Sequence, residues 1–268
     1  MGTALRVFIT GASSGIGAAL AREYASQGAT LGLLARRGDA LDLLKASLPN
    51  PTLHQVYAVD VTDRAALAAA ALDFIAGGGA AGVDIVIANA GVSQGTLTEH
   101  AQDLAVFDTI FATNVGATVA TFAPFIAGMK RQGGAPTLVG IASVAGIRGL
   151  PGAGAYSASK SAVLTYCESL RLELKPHGIR VVTLAPGYID TPMTRANPYP
   201  MPFLMPAARF AHKAARTIAA GDSYRVIPWQ MGVVAKLLRV LPNALYDLAF
   251  EGAPRKPRSM TPQTPQTP

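Results

Sequence analysis

Short apolar runs alternate along the chain with longer stretches in which apolar residues recur at helical spacing. The apolar runs predict seven strands, at 5–9, 30–35, 53–59, 83–89, 137–143, 180–185 and 225–228. The stretches between them predict helices at 15–27, 39–48, 63–76, 103–131, 154–176 and 205–220. Strands that are apolar throughout and that alternate with helices are typical of a parallel sheet covered on both faces. We therefore predict an α/β fold, doubly wound, with a seven-stranded parallel sheet.

The pattern divides the chain into one large domain and two C-terminal segments. Residues 1–229 are expected to form the domain. Within it, the proline-rich stretch 186–206 is expected to form a non-helical loop. Residues 230–254 are expected to form an amphipathic extension that packs on the domain or lies at a membrane or subunit interface. Residues 255–268 are basic and rich in Pro, Thr and Gln, which predicts a disordered tail.

Composition narrows the class of protein. A hydrophobic content of 50% with 15% charged residues in 268 residues favours one well-buried domain over a disordered chain. Cys167 is the only cysteine, so no intrachain disulfide can form, and a cytoplasmic location is expected. No spacing suggests a metal site. The net charge of +7 lies mostly beyond residue 203 without interleaved aromatic residues, which argues against nucleic acid and leaves peripheral membrane contact through 230–258 as an alternative.

A glycine-rich turn, TGASSGIG at 10–17, joins the first predicted strand to the first predicted helix. Such a turn brings backbone N–H groups and the N-terminus of a helix up to an anionic phosphate. An ordinary tight turn is the alternative, and the spacing differs from the G-x-G-x-x-G dinucleotide pattern.

Tyr156 and Lys160 lie four residues apart in a predicted helix, so their side chains share one face. An ammonium beside a phenol stabilises the phenolate and lowers the tyrosine pKa from its ordinary value of about 10. Tyrosine can then give and take a proton near neutral pH. The spacing alone is common on surface helices, and its weight comes from the glycine-rich turn and from Ser143 upstream.

Together these motifs resemble the short-chain dehydrogenase/reductase family over about residues 5–228. The resemblance rests on TGxxxGxG at 10–17, Asn89-Ala90-Gly91, a serine at 143 and YxxxK at 156–160, in that order. It implies a Rossmann-type fold, hydride transfer between a nicotinamide cofactor and a carbonyl or alcohol, and a homodimer or homotetramer built on the helices at 103–131 and 154–176. The family's catalytic group would be Asn114, Ser143, Tyr156 and Lys160, with Asn114 holding a water in a proton relay.

Cofactor choice can be predicted from the end of the second strand. NAD-dependent enzymes hold the ribose hydroxyls with an acidic side chain there, but this chain has Ala35 followed by Arg36 and Arg37. Guanidinium groups suit a 2′-phosphate, so NADP(H) is favoured over NAD(H). Together with the family resemblance, this gives the expected cofactor-binding residues Gly11, Ser13, Ser14, Gly15, Ile16, Gly17, Arg36, Arg37, Asp60, Val61, Asn89, Ala90, Gly91, Tyr156, Lys160, Pro186, Gly187, Ile189 and Thr191.

The sequence therefore predicts an NADPH-dependent carbonyl reductase, or the reverse alcohol dehydrogenase, with Tyr156 as general acid and base. Residues 144–153 and 188–209 are expected to line the substrate pocket, and their apolar side chains favour a lipophilic ketone. Two alternatives stay open: a 3-oxoacyl carrier-protein reductase whose basic segment docks an acidic carrier, and a cofactor-binding regulator without turnover.

Overall fold

Seven parallel strands form the central sheet of the computed structural model, which describes residues 4–79, 82–253 and 255–258. The strands are β1 (Arg6–Thr10), β2 (Thr30–Ala35), β3 (Gln55–Ala58), β4 (Ile85–Ala88), β5 (Thr137–Ile141), β6 (Arg180–Pro186) and β9 (Tyr224–Ile227). Their order across the sheet is β3-β2-β1-β4-β5-β6-β9, as the doubly wound α/β prediction requires. Every neighbouring pair is parallel.

Helices cover both faces of this sheet because its central strands are apolar on both sides. One apolar core includes Leu20, Leu41 and Phe210, and the other includes Phe74, Phe122 and Val163. The helices are α1 (Gly15–Ser26), α2 (Gly38–Ala46), α3 (Arg64–Ala76), α4 (Asp103–Phe111), α5 (Ala117–Gln132), α6 (Gly154–Leu174), α7 (Pro192–Arg195), α8 (Ala207–Ala220), α9 (Trp229–Val240) and α10 (Asn243–Phe250).

The strand order places a crevice beside β1. The chain runs outward from β1 to β2 and β3, then returns to the other side of β1 and continues through β4, β5 and β6. Loops at the carboxyl ends of β1 and β4 therefore leave in opposite directions, and ligands of open parallel sheets bind at this point.

The proline-rich stretch 186–206 is more ordered than the sequence predicted. It contains β7 (Ile189–Asp190), which pairs in parallel with β8 (Met205–Pro206), and the short helix α7 between them. Thr191 caps α7 with its side chain and Pro192 occupies the first turn. The prediction of a non-helical loop was wrong here because proline is favourable at the start of a helix.

The extension beyond residue 229 packs on the domain through Arg148. This guanidinium donates to the carbonyls of Leu238 and Leu241 and, at 2.9 Å, to Oδ1 of Asn243. It also lies 3.9 Å from the centroid of the Tyr246 ring. Residues 255–258, which the sequence assigned to a disordered tail, make defined contacts with the domain, whereas 259–268 lie outside the described residues.

One helical run, Asp103–Gln132, is long and apolar enough by length and composition to cross a membrane. Its buried residues Phe122, Phe125 and Met129 belong to the core beneath the sheet. Helices of this kind are typical of the interior of α/β domains.

Candidate active site

The β1–α1 turn is held close to the end of β4 by Asn89. The Asn89 amide nitrogen donates to the carbonyls of Thr10 and Gly11 at 3.0 and 3.2 Å. Gly11 has a φ of +67°, which favours glycine. A Cβ on Gly17 would lie 2.2 Å from the Gly11 carbonyl oxygen, so only glycine fits there.

The N-terminus of α1 opens into a cavity. Helix α1 begins at Gly15, and Ser14 makes no side-chain capping bond among the described residues. The first-turn N–H groups of a helix lack partners within the helix, and together with the helix dipole they favour an anion. The packing of Gly11 and Gly17 keeps side chains away from this turn, so it fits the phosphates of a dinucleotide.

The cavity has a volume of about 540 Å³ and runs along the carboxyl ends of β1, β2, β4 and β5. It gathers the predicted site residues Gly11, Ser13, Ser14, Gly15, Ile16, Arg36, Arg37, Asp60, Val61, Asn89, Ala90, Gly91, Ser143, Tyr156, Lys160, Pro186, Gly187, Ile189 and Thr191. Of the predicted set only Gly17 and Asn114 do not line it. Gly17 lies directly beneath the turn, and Asn114 is fully buried behind the cavity wall.

Two arginines lie at the end of the cavity beyond β2. Arg37 donates from Nη2 to the Ser13 hydroxyl at 3.1 Å, which brings a cation to the glycine-rich turn. Arg36 lies 3.8 Å from the Asp60 carboxylate, and both side chains are largely exposed. An exposed pair of this kind contributes little to stability, so Arg36 remains available to a ligand.

Tyr156, Lys160 and Ser143 come together where β5 and α6 meet. The Lys160 ammonium donates to the Ile141 carbonyl at 2.9 Å and lies 5.9 Å from the centroid of the Tyr156 ring. Ser143 is buried, and its hydroxyl accepts a hydrogen bond from the Ala145 N–H at 3.1 Å. A phenol, a hydroxyl and a cation thus face the cavity at one point.

The electrostatics of this group differ from the sequence expectation. Burial raises the pKa of Tyr156, and hydrogen bonding to the Ser143 hydroxyl opposes that rise. Burial lowers the pKa of Lys160 to about 8. The expectation that Lys160 lowers the tyrosine pKa was wrong for this arrangement, because desolvation of the phenolate is the largest effect on Tyr156.

Asn114 lies in a π-helical turn, residues Ala112–Gly116, between α4 and α5. Its side-chain oxygen accepts from the Val92 N–H at 2.8 Å, and its amide donates to the Val92 carbonyl and the Ser159 hydroxyl at 3.0 and 2.9 Å. These bonds tie the loop after β4 to α6. The continuous helix predicted over 103–131 is therefore interrupted at this asparagine, and the role of Asn114 in a proton relay remains a prediction.

The loop after β6 covers the other end of the cavity. The Gly187 N–H donates to the Ile227 carbonyl at 2.9 Å, and a Cβ on Gly187 would lie 2.7 Å from Cγ of Met231. Thr191 and Thr194 form a reciprocal capping box at the start of α7. These contacts fix the backbone of the loop that carries the predicted cofactor-binding residues Pro186, Gly187, Ile189 and Thr191.

Sequence reasoning missed several residues of the site. Thr109 and Thr113 line the cavity without belonging to any motif, whereas Met193 and Thr194 fall within the stretch 188–209 that was expected to line the substrate pocket. Ser93 and Lys256 meet beside Tyr156, with the Lys256 ammonium donating to the Ser93 hydroxyl at 2.6 Å. Only the fold shows this contact, because 163 residues separate the two along the chain.

A doubly wound sheet with a phosphate-binding turn and a tyrosine–lysine–serine group defines a dinucleotide-dependent oxidoreductase. A family model for short chain dehydrogenase matches residues 6–200. The chain belongs to the short-chain dehydrogenase/reductase family and is an NAD(P)-dependent oxidoreductase.

Relatives and solved structures agree with this assignment. An uncharacterized oxidoreductase of Myxococcus xanthus is 39% identical over 246 residues, which are 90% of this chain and 94% of that protein. A 3-oxoacyl-[acyl-carrier-protein] reductase of Chlamydia trachomatis is 31% identical over 70% of this chain and 75% of its own length. The structure resembles a 3-ketoacyl-(acyl-carrier-protein) reductase from Brucella melitensis complexed with NADH, with a TM-score of 0.74, 25% identity, and coverage of 83% of this chain and 96% of that chain.

Proposed function

We propose that this chain is an NADPH-dependent carbonyl reductase that acts on lipophilic ketones, with Tyr156 as the general acid. The grouping of Tyr156, Ser143 and Lys160 at one point of the cavity carries this proposal. Bound NADPH would supply the hydride to the carbonyl carbon. The Ser143 hydroxyl donates a hydrogen bond to the carbonyl oxygen, and Tyr156 delivers its proton there.

Lys160 holds a positive charge beside the tyrosine during this proton transfer. With a pKa of about 8 its ammonium is largely protonated at neutral pH. Because the raised pKa of Tyr156 keeps the phenol protonated in the same range, the resting site is set up as a proton donor. A protonated phenol is the form that can donate to a carbonyl oxygen.

The preference for NADPH is supported by the charges at the β2 end of the cavity. Ala35 offers no carboxylate to a ribose, whereas Arg36 and the Ser13-bound Arg37 offer two cations to a 2′-phosphate. Here we expect Arg37→Ala to weaken NADPH binding about tenfold or more, since it removes a charge-assisted hydrogen bond, and to leave NADH binding unchanged.

Titration of purified protein with each cofactor, followed by thermal shift, measures this difference. Arg131→Ala is the matched control because Arg131 is exposed at the end of α5, away from the cavity. Equal loss of NADPH and NADH affinity in Arg37→Ala, or tighter NADH binding by the wild type, would contradict the NADPH assignment.

An apolar substrate is supported by the loop that closes the cavity. Met193 lines the cavity and is 40% exposed, and Tyr188 and Tyr199 pack edge to face with ring centroids 6.5 Å apart. A panel of ketones graded from polar to hydrophobic, assayed by NADPH oxidation, tests this directly. Turnover confined to small polar carbonyls would contradict it.

A second candidate function is reduction of 3-oxoacyl groups on a carrier protein. Two of the similar proteins carry that activity in their names, and Arg209 and Lys213 are exposed on α8 where an acidic carrier could contact them. Under this alternative, charge reversal at these two positions raises KM for an acyl carrier-protein substrate and leaves KM for a free ketone unchanged.

A further inference from the structure

Residues 255–258 form a strap across the loop that follows β4. The Gly95 N–H donates to the Pro257 carbonyl at 3.1 Å, and a Cβ on Gly95 would lie 2.3 Å from the Lys256 carbonyl oxygen. Arg258 donates to both oxygens of the Asp103 carboxylate, at 2.7 and 3.0 Å. Asp103 is only 7% exposed, so the strap ends in a bidentate pair sheltered from water.

A second loop borders the strap, the one that leads into α6 and Tyr156. A Cβ on Gly152 would lie 2.9 Å from Cβ of Arg255. This loop pairs with the loop after β4, since the Thr96 N–H donates to the Gly152 carbonyl at 3.0 Å. The strap therefore lies against both loops and passes beside Tyr156.

The strap turns one lysine inward. Arg255 and Pro257 are exposed, whereas Lys256 between them is half-buried. Its ammonium donates to the Ser93 hydroxyl at 2.6 Å and lies 5.6 Å from the centroid of the Tyr156 ring. Lys160 lies at a similar distance from the same ring, 5.9 Å. Tyr156 thus has two ammonium groups beside it, and only Lys160 belongs to the catalytic motif.

The Lys256 ammonium has no anionic partner in the described part of the chain. None of the ion pairs there includes it, and its hydrogen-bond partner is a neutral hydroxyl. Burial lowers the pKa of Lys256 to about 8, which still leaves it mostly protonated at neutral pH. A half-buried, unpaired cation beside a binding cavity favours an anionic ligand, because pairing offsets its cost of desolvation.

We propose that Lys256 determines substrate choice by binding a carboxylate of the substrate, so that lipophilic oxo acids are preferred to neutral ketones. The inference rests on the proposed function, in which Ser143 and Tyr156 hold the carbonyl oxygen. The Lys256 ammonium lies 5.6 Å from the centroid of the Tyr156 ring, so a carboxylate bound to it would lie beside the tyrosine that holds the carbonyl oxygen. Lys256 takes no part in the bond changes: hydride adds to the carbonyl carbon, the Tyr156 proton goes to the oxygen, and the carboxylate stays intact.

Ligand binding without turnover tests this proposal. Octanoate and octanamide are titrated calorimetrically into the full-length protein saturated with NADP⁺. We expect the wild type to bind octanoate about tenfold or more tightly than octanamide, because only the carboxylate makes a charge-assisted bond. Lys256→Met should bind the two equally. Lys175→Met, which removes an exposed lysine far from the cavity, should discriminate as the wild type does.

A second variant moves the strap without changing any charge. Gly95→Ala places a methyl group against the Lys256 backbone, so it should also lose the preference for octanoate while binding NADP⁺ normally. Equal binding of both probes by the wild type, or a preference that survives Lys256→Met, overturns the proposal.

The binding readout separates this inference from the proposed function. A wild type that reduces neutral ketones but does not discriminate between the probes refutes the role of Lys256 and leaves the reductase assignment standing. A wild type that prefers octanoate but oxidises no NADPH with any carbonyl supports the anion site and refutes the reductase.

Discussion

At the residue scale, the proposed chemistry depends on burial, which shifts the pKa values of two neighbouring side chains in opposite directions. Desolvation disfavours the charged form of each group, so it raises the pKa of the Tyr156 phenol and lowers that of the Lys160 ammonium to about 8. At neutral pH the phenol is protonated and the lysine is largely cationic. Both states are the ones that a reductase needs.

The directions of these two pKa shifts predict how the reaction rate depends on pH. Lys160 is charged below its pKa and loses its proton as the pH rises through about 8. We therefore expect kcat/KM for ketone reduction to be nearly constant at neutral pH and to fall above pH 8, because this parameter reports the free enzyme. Lys160→Arg keeps its charge over the whole range, so its lower rate should not show that fall.

A second lysine with a similar pKa makes a control necessary. Lys256 also titrates near pH 8, so Lys256→Met must retain the fall in kcat/KM for neutral ketones if Lys160 causes it. A fall that disappears in Lys256→Met, or that persists in Lys160→Arg, would assign the profile to another group.

At the scale of elements, the β1–α1 turn is the part of the site that tolerates least change. A Cβ on Gly17 would meet the Gly11 carbonyl oxygen at 2.2 Å and the Asn89 amide nitrogen at 2.6 Å. The Gly11 carbonyl oxygen belongs to the backbone of the phosphate-binding turn. Any side chain at Gly17 must therefore displace the turn itself.

Gly17→Ala is expected to destabilise the fold by about 1–3 kcal/mol, the usual cost of overpacking, and to weaken NADPH binding about tenfold or more. Thermal melts with and without NADPH measure both effects. Gly128→Ala is the control, because nothing lies within 4 Å of a Cβ at this position in α5. It should be neutral or slightly stabilising. Normal NADPH affinity in Gly17→Ala would contradict the role given to the turn.

The elements also show what the sequence could and could not predict. All seven strands of the sheet were predictable because continuous apolar runs are strong signals in a doubly wound fold. Most motif residues around the cavity were predictable because they follow strand ends, and Tyr156 and Lys160 were predictable because their four-residue spacing places both on one face of a helix. The π turn at Asn114 and the helix α7 were not predictable. The π turn depends on a hydrogen bond from Asn114 to the distant Ser159, and α7 depends on the local capping box of Thr191 and Thr194. The strap was missed because its composition alone is typical of disorder.

At the scale of the whole molecule, exposed apolar side chains mark two surfaces. On α4, Leu104 is 59% exposed and Phe107 is 40% exposed. On α9, Trp229, Leu237 and Val240 are each more than 60% exposed. Clustered apolar residues of this kind indicate interaction surfaces. The first lies where the family resemblance places subunit contacts.

The wild type should therefore sediment as a dimer or tetramer, and Phe107→Glu should reduce its mass because a buried carboxylate is costly at an interface. Leu43→Glu is the matched control, since Leu43 is 74% exposed on α2, away from the expected contact. A monomeric wild type, or an unchanged mass for Phe107→Glu, would contradict the assembly.

The membrane contact expected as an alternative for 230–258 would use the α9 surface, and co-sedimentation of the wild type and Leu237→Glu with anionic vesicles tests it.

Under the proposed function, Tyr156 transfers the proton in an NADPH-dependent carbonyl reduction. The most direct test compares wild type and Tyr156→Phe for NADPH oxidation with a hydrophobic ketone, alongside NADPH binding by each. We predict that the phenylalanine variant loses about 10²–10⁴-fold in kcat/KM, the usual contribution of a positioned general acid, and binds NADPH within a few-fold of the wild type. A variant that reduces the ketone at the wild-type rate would show that Tyr156 is not the proton donor.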